Sequence, residues 1–468
     1  MHNLKSTFIF VLCMILFFLG SSGCESNETP ITLSPQTHEV AQLVFATHPV
    51  ARYNASDQEV WVGAPPHTAA PSSIVRIAPS GLRETSVRAT PEGSFLYKFK
   101  GDPQIEVSLR WISPEGTWHE ETLGVTNPQD NLFINVGAAG KYPNRLTVRD
   151  SLAWVVNSGD DEITSYNLET LLAGGERIRL PQWSNPWEVA FFSANEGIVT
   201  TLFGGVFIFD TAKENVEEIE TGEFRPFASP NGCTALGTKA WVTNPNPISY
   251  FPTEMGEGWL SEIDLNSKRV ISELKTQWLN PQYVITDGKL IYVSCSGTID
   301  FLPPDYIAHA LTSGGVHVID PERKQILESY EIGLGGPGPM ALSPDNHFLY
   351  IGSAVGGCLF RIDLKEKKVL NDAENPIIIS ETPGTFIPFV EVDSQGLLIC
   401  GSFNDDTLHF VDSWTGEKNP FPFFEGVKLS NGSSDFWGIQ DGSFCLRNGK
   451  KGILILSTVK SGLHWLEL

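Results

Sequence analysis

The chain has 468 residues, with 55 acidic and 32 basic side chains and a formal net charge of −23 at pH 7. Hydrophobic residues make up 41% of it, which excludes a disordered protein, and the length is sufficient for two sizeable cores. A negative charge of this size repels phosphate backbones, and no basic cluster reverses it locally, so we expect no nucleic-acid partner. The 43 Gly and 31 Pro residues indicate many turns and many short strands.

The first 23 residues have the pattern of a targeting segment. Lys5 supplies a positive charge, Phe8–Leu19 is an apolar run too short to span a bilayer comfortably, and small residues lead to Cys24. The pattern resembles a bacterial lipoprotein signal, although Ser21 stands where such signals usually carry Leu. The resemblance implies lipidation of Cys24, and the alternative is ordinary secretion with Cys24 unmodified. In both cases we expect export.

Two further segments precede the longest part of the chain. Residues 24–38 are polar and contain Pro, which is typical of a flexible tether. Over residues 39–128 short strands are separated by turns, and residues 107–111 alternate between apolar and polar, as in a strand with one buried face. This segment resembles bacterial Ig-like repeats, which carry a turn of the kind seen at Gly93–Phe95. The resemblance implies a β-sandwich that serves as a spacer or adhesion module.

From Tyr142 onward the sequence repeats. Each unit contains a third strand that closes on an acidic or amide residue, and seven such closures predict a seven-bladed propeller of four-stranded blades. The segment 131–137 has the pattern of a fourth strand and is expected to pair with Gly462–Leu468, so that the propeller covers residues 129–468. Six units are expected to open at Pro143, Pro186, Pro226, Pro281, Pro339 and Pro388.

The second strands of three units share a motif. Residues 154–157, 241–244 and 350–353 read WVVN, WVTN and YIGS, and each is followed by a strand that ends in Asn or Asp. This pattern resembles the YVTN family of WD40-like β-propeller repeats. The resemblance implies the fold and says almost nothing of activity, because this architecture hosts many functions. The predicted fold class is all-β, with a seven-bladed β-propeller preceded by a small Ig-like β-sandwich domain.

Two connections between second and third strands are unusually long, at residues 244–258 and 296–315. They belong to neighbouring blades and to the face that also carries the links between blades, and loops of this length in compact domains are often functional. Aromatic rings with a few polar groups around a concavity are typical of binding sites, and packing between blades is the alternative for each ring. The candidate binding residues are Trp187, Glu188, Phe227, Tyr250, Phe251, Tyr283, Phe301, Tyr306, Phe389, Asp435 and Trp437.

Several other motifs are interpreted as structural. The G-x-G-x-x-G pattern at 333–338 precedes a strand rather than a helix, so it forms no pyrophosphate site. The acidic turns at 160–162 and 404–406 lack the ligand spacing of a calcium loop. Known catalytic motifs are absent from the sequence, although a Ser-His-Asp set assembled by the fold stays open.

The histidines and cysteines are likewise expected to pack rather than to bind metal. His317, His409 and His464 share a register, but third strands of different blades diverge, so the three cannot meet at one ion. Cys295 and Cys400 fall within apolar strands, where buried free thiols are expected, while a disulfide stays open as the alternative. The other cysteines of this region are Cys233, Cys358 and Cys445.

The sequence favours a lipid-anchored binding or scaffold module of the bacterial cell envelope, on the outer membrane at its periplasmic side or at the cell surface. The expected partner is a protein, a small molecule or a glycan on the insertion-bearing face, with no cofactor and no metal. The alternative is a propeller enzyme, either a lactonase-like hydrolase or a quinoprotein-type dehydrogenase, with its site at the channel mouth. Glu188 and Asp435 are the nearest candidates for such a site.

Overall fold

The protein is described by a computed structural model that covers residues 48–55, 57–126, 134–170, 172–203, 205–250, 252–302, 307–420, 426–429, 438–459 and 461–468. These residues form 40 strands and contain no helix, which confirms the predicted all-β class. In this described part of the chain, no helix is therefore long and apolar enough to cross a membrane.

The N-terminal unit consists of seven strands. They are β1 (Val50–Asn54), β2 (Glu59–Ala64), β3 (Ile74–Pro79), β4 (Thr85–Arg88), β5 (Phe95–Lys100), β6 (Glu106–Ile112) and β7 (Trp118–Thr126). Their order is β4-β3-β6-β7-β1-β2-β5, with β1 parallel to β7 and antiparallel to β2. Val60 and Val62 of β2 share one buried core with Val107 and Leu109 of β6, which is the face that the alternating pattern predicts. The resemblance to Ig-like repeats stays a prediction.

Seven sheets follow and form a seven-bladed β-propeller, as predicted; six have four strands, and the fifth has a fifth strand paired beside its third. Blades one and two consist of β9 (Pro143–Arg149), β10 (Leu152–Asn157), β11 (Glu162–Asn167), β12 (Ala173–Arg179), β13 (Pro186–Phe191), β14 (Glu196–Thr201), β15 (Gly205–Asp210) and β16 (Asn215–Glu218). Within each blade the strands pair in chain order, so that β9 and β13 are the innermost.

Blades three and four keep this plan, but each contains an inserted hairpin. Their strands are β17 (Cys233–Leu236), β18 (Lys239–Asn244), β21 (Trp259–Asp264), β22 (Arg269–Lys275), β23 (Pro281–Thr286), β24 (Ile291–Cys295), β27 (Gly314–Asp320) and β28 (Gln325–Gly333). The hairpins are β19 (Pro247–Tyr250) with β20 (Thr253–Met255), and β25 (Ile299–Leu302) with β26 (Ile307–Ala310).

Blades five to seven complete the ring. They consist of β29 (Pro337–Leu342), β30 (Phe348–Ser353), β31 (Cys358–Asp363), β32 (Lys368–Asn371), β33 (Ile377–Ile378), β34 (Val390–Val392), β35 (Leu397–Ser402), β36 (Thr407–Asp412), β37 (Val427–Lys428), β38 (Ile439–Arg447), β39 (Lys450–Ser457), β40 (Gly462–Glu467) and β8 (Ile134–Ala138). The last blade joins both ends of the propeller, because β8 pairs antiparallel with β40 and Gly462 lies opposite Ala138. Residues 131–133 of the segment expected there lie outside the described residues.

Each innermost strand starts at the same kind of position. In five blades a residue with positive φ is followed directly by Pro, and this left-handed residue turns the chain from the preceding link into the strand. In blade three the pair is Ser229-Pro230 and in blade five it is Gly336-Pro337, so the expected openings at Pro226 and Pro339 were wrong. The start of the innermost strand therefore depends on the left-handed conformation of the residue before Pro, and the presence of Pro alone does not identify it.

A β-bulge follows this start and aims a side chain into the channel. In blade one Pro143 lies opposite Asn157, whereas Arg145 lies opposite Val156, so one residue is extra. A bulged strand bends locally and re-aims the next side chain. The same register shift occurs at the starts of β13, β23 and β38, before Glu188, Tyr283 and Asp441.

The connections of the propeller lie at two ends. One end, called the mouth end here, carries the links between blades and the connections from second to third strands, including both hairpins. The other end, called the turn end, carries the connections from first to second and from third to fourth strands. The cores lie between adjacent blades: Trp154 and Ile163 of blade one pack with Val199 and Phe207 of blade two. This packing holds the two ends at a fixed separation.

Candidate functional site

The two inserted hairpins lie side by side at the mouth end. The Thr253 hydroxyl of the first hairpin donates a hydrogen bond to Asp300 Oδ1 of the second, at 3.1 Å. At its base the first hairpin is held by Asn246, whose side-chain amide donates to the Glu257 carbonyl at 3.0 Å, and Tyr250 pairs with Ser229 through their hydroxyls at 3.2 Å. The hairpins thus form one continuous surface across blades three and four.

The second hairpin also extends toward blades five and six. A Cβ added at Gly336, in the link to blade five, would lie 3.5 Å from the Ile299 side chain. A Cβ added at Gly384, in the link to blade six, would lie only 2.8 Å from Ile307. The hairpin therefore packs closely over neighbouring links, and glycine at 384 allows this approach.

Apolar side chains are exposed at this end of the propeller. Ile248 on the first hairpin is 65% exposed and Leu334 in the link to blade five is 59% exposed. The exposed large apolar residues at the mouth end are Trp183, Phe203, Ile248, Tyr250, Leu311, Leu334 and Ile378. Exposed apolar groups that cluster on one face are typical of interaction sites, whereas scattered ones are not.

A buried charged group, called the channel group here, lies beneath the mouth. Arg145 Nε donates to Glu188 Oε2 at 2.7 Å, and its guanidinium carbon lies 5.1 Å from the centre of the Tyr283 ring. A second nitrogen of Arg145 lies 3.4 Å from the Pro388 carbonyl, and Asp441 accepts the Leu146 amide at 2.8 Å. One side chain thus connects residues of blades one, two, four and six, beside an acid of blade seven.

The charges of this group are set by burial and by mutual contact. Burial opposes the charge of Arg145, but Glu188, Tyr283 and Asp441 outweigh it and raise the pKa of the guanidinium. Burial raises the pKa of Asp441 to about 7, against the effect of Arg145. Glu391 of β34 is also enclosed by protein, and burial raises its pKa to about 8 although Ser443 and the Phe444 amide donate to it.

The sequence-predicted residues separate into three positions. Glu188 and Tyr283 belong to the channel group, and Trp187 precedes Glu188 with its buried indole nitrogen without a hydrogen-bond partner. Tyr250 and Phe301 lie on the hairpins. Two rings pack in cores between blades, namely Phe227 and Phe389. Phe251, Tyr306, Asp435, Trp437 and Cys24 lie outside the described residues.

Sequence reasoning missed Arg145, Asp441 and Glu391. Arg145 stands two residues after the Pro that opens blade one, the same offset as Glu188 in blade two and Tyr283 in blade four. A comparison of the residues two positions after the opening Pro in each repeat would have identified Arg145 and Glu188 as charged residues at an equivalent position. The sequence could not show which of these residues contact each other. Asp441 of blade seven, for example, contacts blade one only because the ring closes.

The acidic turns of blades one and six bind the neighbouring links. Asp161 accepts the amides of Trp183 and Asn185 at 2.7 and 2.8 Å. In blade six, Asp405 accepts the Ser380 hydroxyl at 2.6 Å and Asp406 accepts the Gly438 amide at 2.7 Å. The carboxylates therefore already serve as acceptors within the fold, which supports the interpretation of these turns as structural.

The three aligned histidines are buried in separate blades. His317 accepts the Gln277 amide at 3.0 Å and stacks on Trp278 with ring centres 4.8 Å apart. Burial lowers the pKa of His317, His409 and His464 to about 4, so all three are neutral at pH 7. Among the described residues no group of three or more His, Cys, Asp or Glu side chains could hold a metal ion.

A Ser-His-Asp set does assemble in blade six, but its arrangement is not that of a catalytic triad. Ser402 lies 3.0 Å from His409 Nε2, and the Ser402 hydroxyl donates to Asp405. In a triad the carboxylate instead orients the histidine through Nδ1, and here the buried His409 Nδ1 has no partner. Burial of Ser402 and His409 makes this a packing contact.

The five cysteines of the described region are free thiols. Cys233, Cys295 and Cys400 are buried within strands, and burial raises the pKa of each thiol. Cys358 and Cys445 are partly exposed. A thiol with a raised pKa is a poor nucleophile, so these residues act as small apolar side chains in the core.

Charge is distributed unequally between the two ends. The described connections at the mouth end carry two basic residues, Lys141 and Arg225. Their acidic residues number twelve: Asp160, Asp161, Glu220, Glu223, Glu254, Glu257, Asp300, Asp372, Glu374, Glu381, Asp405 and Asp406. The described connections at the turn end carry nine acidic and eight basic residues, so the negative charge is concentrated at the mouth.

Comparison with known proteins places the chain by fold. No family model and no curated protein match it. It is similar to Kuenenia stuttgartiensis hydrazine synthase, with a TM-score of 0.53 and 13% identity over 72% of this chain and 97% of that one. The chain is a β-propeller. A second match, the computationally designed Ika8 protein, has a TM-score of 0.46 and 12% identity over 70% of this chain and 87% of that one. At 13% identity the likeness to hydrazine synthase shows the fold alone.

Proposed function

We propose that this protein is an exported, lipid-anchored binding module of the bacterial cell envelope, with its recognition face at the mouth end. The single observation that supports this is the pair of hairpins at 244–258 and 296–315. They interrupt two neighbouring blades, are joined by the Thr253–Asp300 hydrogen bond, and carry exposed apolar residues. The second-to-third-strand connections of the other blades have at most four residues, as at 158–161.

The channel group favours binding over catalysis. Arg145 is engaged by Glu188 and Tyr283, and the oxygens of Asp441 accept the Leu146 and Gly442 amides. Because these polar groups already contact each other or the backbone, they stabilise the ring and leave few hydrogen-bonding groups for a substrate. A partner is therefore expected on the rim rather than in the channel.

The test replaces the hairpins with a turn from the same protein. The four residues of 158–161 are grafted in place of 245–257 and of 297–313, which leaves five-residue connections, close to the four residues that blades one, five, six and seven use. Purified wild-type and grafted proteins are then immobilised, and the capture of envelope components is quantified. We expect the components retained by the wild type to be lost from the grafted variant, with an unchanged thermal unfolding midpoint.

A matched control changes the opposite end. It exchanges the blade-five turn 364–367 for the blade-four turn 321–324, which has the same length. This control should retain every component that the wild type retains. Equal capture by the grafted variant and the wild type would refute the hairpins as the recognition face.

The anchor is tested separately. Labelled palmitate should attach to the wild type expressed in a bacterial host and fail to attach to a Cys24→Ala variant. Equal labelling of both, or of neither, would remove the lipid from the proposal and leave export by ordinary secretion.

One observation favours the enzymatic alternative, a lactonase-like hydrolase or a quinoprotein-type dehydrogenase. Glu188, Glu391 and Asp441 are three carboxyl groups near one channel, and raised pKa values such as those of Asp441 and Glu391 are common at active sites. Lactone hydrolysis that is lost on Asp441→Asn and retained in the hairpin graft would support this alternative. No hydrolysis by the wild type would leave the binding module as the proposal.

A further inference from the structure

We propose that the mouth end binds a basic polypeptide, whose Lys or Arg side chains meet the acidic rim and whose apolar side chains meet the exposed rings. This inference rests on the proposed function and names the chemical class of its partner. Its basis is the unequal distribution of charge over the two ends of the propeller.

The first step is that the basic side chains of the mouth end are already paired. Lys141 lies 3.6 Å from Asp160, and Arg225 lies 3.2 Å from Glu273 and stacks over the Trp259 ring. The exposed acids of the same end include Glu254. The cations present are thus engaged locally. Two acids of this end, Glu257 and Glu220, are paired with Lys275 and Arg269 of β22, and the remaining carboxylates give this end a net negative potential.

The second step is that the turn end is neutralised by its own contacts. Lys213 forms an ion pair with Asp210 at 2.6 Å, and Lys324 forms one with Glu262 at 2.9 Å. Lys451 likewise pairs with Asp393. The same chain therefore balances charge where it turns and leaves charge unbalanced where the hairpins protrude. Charge complementarity would steer a cationic partner to the mouth and would repel anionic surfaces from it.

The third step concerns the size of the partner. The exposed apolar residues run from Trp183, before blade two, to Ile378, before blade six. A small cation would cover one ring at most, whereas a polypeptide can reach several positions along such an arc. Guanidinium groups also stack on aromatic faces, so Arg can use both the rings and the carboxylates.

The test compares two sets of charge-neutralising substitutions of equal size. In the mouth variant Glu is changed to Gln at Glu223, Glu254, Glu374 and Glu381. In the turn variant the same change is made at Glu169, Glu214, Glu322 and Glu366. All eight side chains are exposed, so both variants are expected to fold, and their thermal unfolding midpoints are compared with that of the wild type first.

The probes are three labelled peptides of one length, which alternate Arg with Leu, Arg with Ser, or Glu with Leu. Fluorescence anisotropy measures the affinity of each peptide for each protein at low and high salt. We expect the Arg-Leu peptide to bind the wild type best and to lose affinity at high salt. Its affinity should fall about tenfold in the mouth variant and less than about twofold in the turn variant.

Three outcomes would overturn the inference. Equal losses of affinity for the Arg-Leu peptide in the two variants would mean that binding depends on the net charge of the whole chain and not on the mouth end. Binding of the Glu-Leu peptide as tight as that of the Arg-Leu peptide would remove the charge requirement. Concentration-dependent dimers that disappear in the mouth variant would assign this face to a second copy of the chain. If hairpin grafting abolishes capture while both charge variants bind the peptides equally, the binding function stands and the partner class is wrong.

Discussion

The channel group and the hairpin pair lie at the same end of the propeller and differ in what their polar atoms contact. In the channel group, Arg145 reaches Glu188, Tyr283 and the Pro388 carbonyl, which belong to three other blades. The hairpins contact each other at the surface, where the Thr253 hydroxyl donates a hydrogen bond to Asp300. The channel group therefore contributes to the stability of the ring, and the hairpins contribute surface.

The same contrast appears where blades meet. In blade one, Asp161 occupies the last position before the third strand and holds the next link through its carboxylate. In blade three this position is Gly258, and only its carbonyl accepts the Thr276 amide, at 3.1 Å. A Cβ at Gly258 would lie 2.2 Å from Pro281, so no larger side chain fits there. Blade three thus lacks the carboxylate contact that Asp161 makes in blade one.

The largest effect is expected from Arg145→Met. The substitution leaves Glu188 without its ion-pair partner in a setting where the two side chains are 8% and 19% exposed. Removal of one partner from a buried pair costs about 3–5 kcal/mol of unfolding free energy. Denaturant unfolding followed by tryptophan fluorescence measures this cost.

Two further variants sharpen the result. Arg145→Met combined with Glu188→Gln should recover part of the loss, because no uncompensated carboxylate remains. Lys213→Met breaks the exposed pair with Asp210 and should cost far less unfolding free energy, because an exposed ion pair contributes little to stability. An Arg145→Met protein as stable as the Lys213→Met protein would mean that the channel group does not hold the ring.

The pH dependence of stability is the next prediction. The pKa of Glu391 is raised to about 8 and that of Asp441 to about 7, mainly by burial. Each group therefore keeps its proton in the folded state at a pH where the unfolded chain, with a carboxyl pKa of about 4, has lost it. Their contribution is complete below about pH 4 and is lost as the pH rises through 7 and 8.

The Glu391→Gln variant isolates this effect, because Gln keeps the shape and the neutral state of the protonated acid. It should match the wild type at about pH 4 and exceed it in unfolding free energy at pH 8.5, by about 1 kcal/mol or more. The buried histidines act on the other side, since a lowered pKa means that their contribution is lost as the pH falls through about 4. A wild type whose stability is flat between pH 6 and 8.5 would contradict the assignment of Glu391.

Much of the fold could be predicted because the contacts that define each repeat join residues close together in sequence. A strand that closes on Asp is followed by a turn whose amides bind that carboxylate, as when Asp320 accepts the amides of Glu322 and Arg323. Such a unit is complete within a few residues, so each copy is visible in sequence. The choice between Pro226 and Pro230 was not visible, because it depends on the left-handed conformation of Ser229.

The channel group could be predicted only in part. Glu188 and Tyr283 stood out as an acid and a ring beside an opening Pro, and both do lie in the channel. Their contacts depend on residues far apart in sequence: Leu146 meets Asp441 only because the ring closes. Phe389 follows its Pro directly, one position closer than Glu188 and Tyr283 do, and it packs between blades six and seven.

The smallest effect is expected from Thr253→Val, which removes the hydrogen bond between the hairpins and keeps the shape of the side chain. Such a bond contributes about 1 kcal/mol, and its loss should remain local, since a surface hairpin can open without the ring. Hydrogen exchange should therefore accelerate at the amides of β19, β20, β25 and β26 and stay unchanged at Leu146 in the channel. Faster exchange at both places would show that the hairpins and the channel group unfold as one unit, and the contrast between them would fail.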